Sequence, residues 1–151
     1  MTDFAIFNYD SYPKINVNLN GYLKNDNDFY SFINGWESLY ISNSDKKFTL
    51  IINTTSYNSS LFDLKYCYSL IQFLNKIKEK RLVDNNYDKL KHSIIIVNNS
   101  ITRYLLEFIF SFQSPLANIY IVETVESAEY LYYNFENNIE NNYLNVSIIK
   151  V

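Results

Sequence analysis

The sequence predicts an α/β fold: a single layered domain whose mixed sheet is flanked by helices. Three short apolar segments alternate with longer segments of helical periodicity, and we predict them to be the strands Phe48–Asn53, Ser93–Asn98 and Asn118–Glu123. The cores of the first two are β-branched or leucine throughout, which is typical of parallel strands covered on both faces. At 151 residues, the chain has the length of one domain with a substantial core.

Two short strands open the chain. Asp3–Asn8 and Lys14–Asn20 are predicted to pair antiparallel at the edge of the sheet, with Pro13 in the turn between them. In the second segment apolar residues alternate with asparagines, which is the period-two pattern of a half-buried strand.

A first helix is predicted from a cap at Asp26 or Asp28 to Leu39, because its aromatic and aliphatic residues recur at helical spacing. We expect Trp36 to be a core residue. Gly35 lowers helix propensity, so it marks either a close contact between helix and sheet or an early helix end.

The longest helix is predicted over Leu61–Leu82, after a loop at Thr54–Ser60. Cys67, the single cysteine, excludes an intramolecular disulfide and is expected in the core, which suits a reducing compartment. The predicted buried stripe of this helix consists of Leu61, Leu64, Cys67, Tyr68, Ile71, Leu74 and Ile77 or Lys78.

A third helix is predicted near Thr102–Phe112, capped by Asn99 or Ser100 and stopped by Pro115. Its side chains are apolar on almost every side. It must therefore be covered either by the rest of the chain or, in part, by a partner.

The C-terminal part contains a fourth helix, from a cap at Thr124 to about Phe135, and an apolar end. The alternation in Leu144–Val151 predicts either an extra edge strand or a strand that pairs with another chain. We accordingly divide the chain into a domain over residues 1–136 and a C-terminal extension over residues 137–151.

Composition disfavours several classes of partner. A formal net charge of −3 and a pI near 5.1 argue against nucleic acid. No apolar run approaches the roughly 20 residues of a membrane span, and no signal peptide is visible, so we expect a soluble, cytoplasmic protein. Abundant Asn, Tyr, Ile, Lys and Phe are typical of AT-rich genomes, such as those of large DNA viruses or of some protists, and a viral source would allow a virion-associated protein instead.

Motifs for catalysis and cofactor binding are not found in the sequence. With only Gly21 and Gly35, neither a dinucleotide-binding loop nor a Walker-type loop is present. One histidine and one cysteine cannot build a zinc shell, and the carboxylates form no spaced catalytic pair. We expect no enzyme activity, no metal and no cofactor, and a solvent-facing or strand-entry position for His92.

Polar residues follow the predicted strands, where ligands of open parallel sheets bind. They form either a shared binding rim or ordinary helix caps and turns. The candidate binding residues are Asn58, Ser59, Ser60, Asn98, Asn99, Ser100, Glu123 and Thr124.

Two antiparallel strands, a helix and three strand–helix units resemble the STAS domain, the fold of anti-sigma-factor antagonists and of sulfate-transporter tails. The family's motif is D-S-S-G-[LV], and Asn58-Ser59-Ser60-Leu61 occupies the corresponding place with Asn in the acidic position and no glycine. The resemblance covers about Asp3–Phe135. It implies a non-catalytic protein-interaction module with Ser59 at the position of the phosphorylated serine.

The same order of elements is similar to a shortened CRAL-TRIO domain, which implies a lipid or small-ligand pocket between helices and sheet. Three hypotheses follow for the partner. The first is another protein bound through the Ser56–Leu61 loop and the following helix. The second is further copies of the chain, assembled through Ile101–Phe112 and Leu144–Val151. The third is a small molecule or lipid.

Overall fold

The computed structural model describes residues 3–42, 44–135 and 146–151, and the described residues form one six-stranded sheet with helices on both faces. The strands are β1 (Ala5–Asn8), β2 (Lys14–Gly21), β3 (Phe48–Tyr57), β4 (Leu90–Ile96), β5 (Ile119–Val122) and β6 (Ser147–Ile149). The α-helices are α1 (Asp26–Ser38), α2 (Leu64–Arg81), α3 (Ser100–Phe112) and α4 (Val125–Asn134), with 3-10 turns at Leu61–Asp63 and Asn85–Tyr87.

Strand order in the sheet is the same as strand order in the chain. β2, β3, β4 and β5 run parallel, and β1 and β6 lie antiparallel at the two edges. The predicted fold class is therefore confirmed. The parallel core has one strand more than predicted, because β2 also pairs in parallel with β3, with Ile15 opposite Leu50.

The core lies mainly between the sheet and the helices α1, α2 and α3. Side chains such as Ile15, Leu50 and Ile77 are completely buried there. A smaller cluster lies on the opposite face, where Ala128 and Leu131 of α4 pack on β3, β4 and β5. The sheet thus has a fully covered face and a partly covered face.

The N-cap of helix α1 lies one residue before Asp26 and three residues before Asp28, the two predicted caps. Asn25 is its N-cap, and its Oδ1 accepts the Asp28 N–H at 3.1 Å. Trp36 is buried, as predicted. A Cβ on Gly35 would lie 2.7 Å from Cζ of Phe7, so this glycine marks close packing of α1 on β1.

Strand β3 is longer than predicted, and the proposed loop at Thr54–Ser60 is wrong over its first four residues. Ser56 and Tyr57 pair with the end of β2. The Thr54 hydroxyl donates to the Ile96 carbonyl at 2.6 Å, which satisfies a polar side chain inside the core. β-branched and aromatic residues favour this extension.

Helix α2 departs from the prediction at its start. A 3-10 turn precedes it, and two residues of the predicted buried stripe are exposed: Leu61, which lies in that turn, and Tyr68, which lies in α2. Cys67 is buried, as predicted, and burial, followed by the nearby charge of Asp63, raises the pKa of its thiol to about 11.

The predicted C-terminal edge strand is confirmed as β6, in which Ile149 lies opposite Ile119 of β5. Leu144, with the rest of residues 136–145, lies outside the described residues. His92 lies within β4 and not before it, and it is half-buried. In the described ranges, no helix has the length and apolarity needed to cross a bilayer.

Candidate binding surface

The carboxyl ends of the parallel strands bring four helix starts to one edge of the sheet. β2 leads into α1, β3 into the 3-10 turn before α2, β4 into α3, and β5 into α4. Seven of the eight candidate binding residues lie in the last three of these connections, and Ser100 is the first residue of α3. Their hydrogen bonds show which of them are already used by the fold.

Ser60 is a helix cap. Its Oγ accepts the Phe62 N–H at 3.2 Å, while Asp63 Oδ2 accepts the Ser60 N–H at 3.1 Å, which together make a capping box. Asp63 is buried and also accepts the Tyr57 hydroxyl at 2.6 Å. Burial, then the bond to this carboxylate, raises the pKa of Tyr57, so the phenol stays protonated.

Ser59 is joined to helix α3. The buried Thr102 hydroxyl donates to Ser59 Oγ at 2.8 Å. Asn58 is exposed, and its backbone N–H donates to the Gly21 carbonyl at 2.9 Å. The structure therefore brings the predicted Ser59 position directly against the first turn of α3.

Asn99 is the N-cap of α3. Its Oδ1 accepts the N–H groups of Ile101 at 2.7 Å and Thr102 at 3.4 Å. Asn98 and Ser100 on either side are exposed. Thr102 in the first turn of α3 joins this helix start to Ser59, so the connections after β3 and β4 meet at this hydrogen bond.

Thr124 caps α4, with its Oγ1 accepting the Ser127 N–H at 3.1 Å. Glu123 is exposed beside it. Because α4 packs on the other face of the sheet from α2 and α3, this pair leads away from the Ser59 side. The eight candidates therefore do not form one ligand cradle.

The chemistry at this edge is that of hydroxyl and amide groups engaged with backbone. Within the part of the chain that the structure describes, no cluster of three or more His, Cys, Asp or Glu side chains is placed to hold a metal ion. His92 stacks on Phe135 at 4.0 Å between ring centroids, on the face covered by α4.

An apolar surface lies beside Ser59, and the sequence predicted only the part of it that α3 contributes. It is formed by the 3-10 turn, one face of α2 and one face of α3, and we call it the Phe62 surface. Phe62 is 89% exposed, the largest exposed fraction among its members. The Phe62 surface consists of Leu61, Phe62, Tyr68, Ile101, Tyr104, Phe108 and Phe112.

Contacts between elements hold this surface together. Tyr68 of α2 packs edge-on against Phe108 of α3, with ring centroids 5.5 Å apart, and Phe108 packs on Phe112 at 5.1 Å. The 3-10 turn also contacts α3. The apolar character of α3 on all sides is the sequence signal for this surface. The predicted buried stripe of the second helix omits Phe62, but the position of Phe62 in a 3-10 turn that contacts α3 was not predicted.

Comparison with protein-family models, with curated proteins and with solved structures finds no match to this chain. The class of protein is therefore defined by its own fold and surface: an α/β domain with a sequentially ordered mixed sheet and an exposed aromatic surface.

Proposed function

We propose that this protein is a non-catalytic binding module that recognises an apolar helical segment of another protein through the Phe62 surface. The exposure of Phe62 next to Ser59 is the observation that carries the proposal. Contiguous exposed apolar surface on a monomeric protein is typical of interaction sites. The proposal agrees with the interaction role that the resemblance to the STAS domain implies.

A helix is the partner that best fits the shape of this surface. Ile101, Tyr104 and Phe108 recur along one side of α3 at helical spacing, and Tyr68 of α2 extends the row sideways. Two neighbouring helices make an elongated apolar platform, and an amphipathic helix binds such a platform with residues one turn apart. Exposed aromatic side chains are also the residue type most enriched among binding hot spots.

The connection between Ser59 and Thr102 suggests how binding is regulated. A phosphate on Ser59 would replace a neutral hydroxyl that contacts Thr102 and would add charge of about −1.5 to −2 close to the buried Asp63 carboxylate. Repulsion would displace the 3-10 turn that carries Phe62. Modification at this position would therefore lower affinity for the partner.

The test is to capture binding proteins with the full chain, purify them and measure their affinity for three variants by calorimetry. Phe62→Lys and Tyr104→Lys are each expected to weaken binding at least about tenfold, because hot-spot aromatics contribute about 2 kcal/mol or more. Val83→Lys is the matched control, since Val83 is also 89% exposed but follows the far end of α2. It should change affinity less than twofold.

Two results would contradict the proposal. One is equal loss of affinity in the Val83→Lys control, which would mean that the measured binding does not use the Phe62 surface. The other is a chain that self-associates in sedimentation and becomes monomeric on Phe62→Lys. In that case the partner is a second copy, as in the assembly hypothesis.

A further inference from the structure

A cavity of about 120 Å³ lies inside the core, between the main face of the sheet and helices α1, α2 and α3. Its walls are almost entirely aliphatic and aromatic, with Trp36, Ile95 and Leu105 among them. This volume is close to that of an engineered cavity of about 150 Å³ that binds benzene. It is well below the roughly 300–1,000 Å³ of pockets for drug-sized ligands, so a phospholipid does not fit.

Two small side chains, those of Ser93 and Cys67, are part of the wall of this cavity. Ser93 occupies a core-facing position of β4 whose neighbours in the sheet are Leu50 and Ile119. Cys67 is a buried residue of α2. A leucine or isoleucine at position 93 would match its neighbours and fill much of the volume.

Ser93 also supplies one unused hydrogen-bonding group. It is 3% exposed, and its hydroxyl makes no hydrogen bond to any other described residue. The other hydroxyl groups of the lining donate within the protein. Thr54 donates to Ile96, Tyr57 to Asp63, Tyr66 to Asp26 and Thr102 to Ser59.

Water is a poor occupant of such a cavity. A buried water generally makes two to four hydrogen bonds, and one unused hydroxyl in an apolar wall does not provide them. A compact apolar ring with a single polar group suits this cavity better than water. The ring fills the apolar space, and the polar group forms a hydrogen bond with the Ser93 hydroxyl. A buried polar group left without a partner is otherwise costly.

We propose that this cavity is a binding site for a small single-ring alcohol or phenol, with the Ser93 hydroxyl as the hydrogen-bonding partner of the ligand's oxygen. The half-buried side chains of Leu70, Leu106 and Phe110 line its side towards α2 and α3, where the ligand enters. The lining includes Asp63 and Thr102, on elements that also carry the Phe62 surface, but none of the residues of that surface.

Calorimetry and amide chemical shifts with phenol and benzene as probes test this proposal on the full chain. In the wild type, both probes should bind, phenol more tightly, and both should shift the amides of residues around Ser93. Ser93→Ala keeps the cavity but removes the hydroxyl, so it should weaken phenol binding about fivefold, the value of one hydrogen bond, and leave benzene unchanged. Ser111→Ala, on the exposed side of α3, is the matched control and should change neither.

Ser93→Leu places a larger apolar side chain in the cavity and should abolish binding of both probes in a variant whose folding is checked by its amide spectrum. Absence of binding by either probe to the wild type, or undiminished binding to a folded Ser93→Leu variant, would overturn the site. Equal phenol affinity in the wild type and Ser93→Ala would overturn the role of Ser93. Phe62→Lys should leave phenol binding intact, so failure of one proposal is distinguishable from failure of the other.

Discussion

His92 is the only imidazole in the chain, and its surroundings oppose its protonation. Its ring stacks on Phe135 and lies edge-on to Tyr120, and its buried Nδ1 has no hydrogen-bond partner among the described residues. Burial, then the neighbouring charge of Lys91, lowers the pKa of His92 to about 4 from an ordinary value of 6.5. His92 is therefore neutral in the folded protein at neutral pH.

Stability should consequently fall in mild acid. As the pH drops below 6.5, the unfolded chain takes up a proton at His92 before the folded chain does, so the free energy of unfolding decreases until about pH 4. We expect a loss of about 2 kcal/mol from this residue, after allowance for its partial exposure. Urea titrations between pH 7 and pH 4 on the wild type and His92→Gln measure it, and the variant should lose less stability. If the free energy of unfolding falls with pH equally in the wild type and the variant, His92 does not contribute to the acid sensitivity.

Lys14 shows why single residues of the second face were hard to interpret from sequence. It is buried on β2, and its Nζ contacts Glu129 Oε2 at 2.8 Å and the Tyr133 hydroxyl at 3.3 Å on α4. Burial alone would lower the pKa of Lys14, but these hydrogen bonds outweigh it and raise the pKa. A lysine at the start of a predicted strand gives no sign of this pairing, because its partners lie more than a hundred residues away.

At the scale of elements, the candidate site depends on how the 3-10 turn packs against α3. Ser59 connects the two through Thr102, and Phe62 follows within three residues. We expect Ser59→Asp to lower the free energy of unfolding by about 1–3 kcal/mol, because a carboxylate would replace a neutral hydroxyl near the buried Asp63 side chain and the two negative charges would repel each other. It should also weaken binding of the partner captured through the Phe62 surface.

Chemical denaturation and calorimetry measure these effects, with two controls. Ser59→Ala removes the hydroxyl without adding charge, and it should cost less stability than Ser59→Asp. Asn58→Asp adds the same charge at the exposed neighbouring position, and it should have little effect. If Ser59→Asp behaves like both controls, charge at Ser59 does not act as a switch.

Element types were more predictable than element ends. Apolar residues at helical spacing identified α1 and α2, because that pattern reflects burial on one side, and capping residues identified α3 and α4. The end of β3 was missed because Thr54–Tyr57 is polar on average, and the burial of Thr54 depends on a tertiary hydrogen bond from its hydroxyl to Ile96. The exposure of Leu61 was missed because a 3-10 turn changes the direction of side chains before α2 begins.

For the whole molecule, the sequence was sufficient to predict one α/β layer but not its second covered face. Parallel strands with apolar cores imply helices on both sides, yet only the contacts of Ala128 and Leu131 assign α4 to the face opposite α1, α2 and α3. The core cavity was equally inaccessible, since a void depends on how side chains from four elements meet. Ser93 was predicted only as the start of a strand.

The two edges of the sheet differ in how they are protected. β1 is held by α1 through Phe7 and Phe32, whose ring centroids lie 6.4 Å apart. β6 has only three residues, and it covers the outer edge of β5 in the parallel core. Without β6, the outer edge of β5 would present free N–H and C=O groups to another chain.

Removal of residues 147–151 is expected to destabilise the protein and to promote its self-association. The deletion takes away the β5–β6 ladder, the partly buried Ile149 and the bond from the Val151 N–H to Asn118 Oδ1 at 3.0 Å. We expect a loss of about 2–4 kcal/mol in the free energy of unfolding and larger particles in light scattering, because β5 becomes an apolar edge strand. Deletion of Lys150 and Val151 alone keeps the ladder and serves as the control. If the longer deletion stays as stable and monomeric as the control, β6 protects no edge, and assembly through the C-terminal strand loses its structural basis.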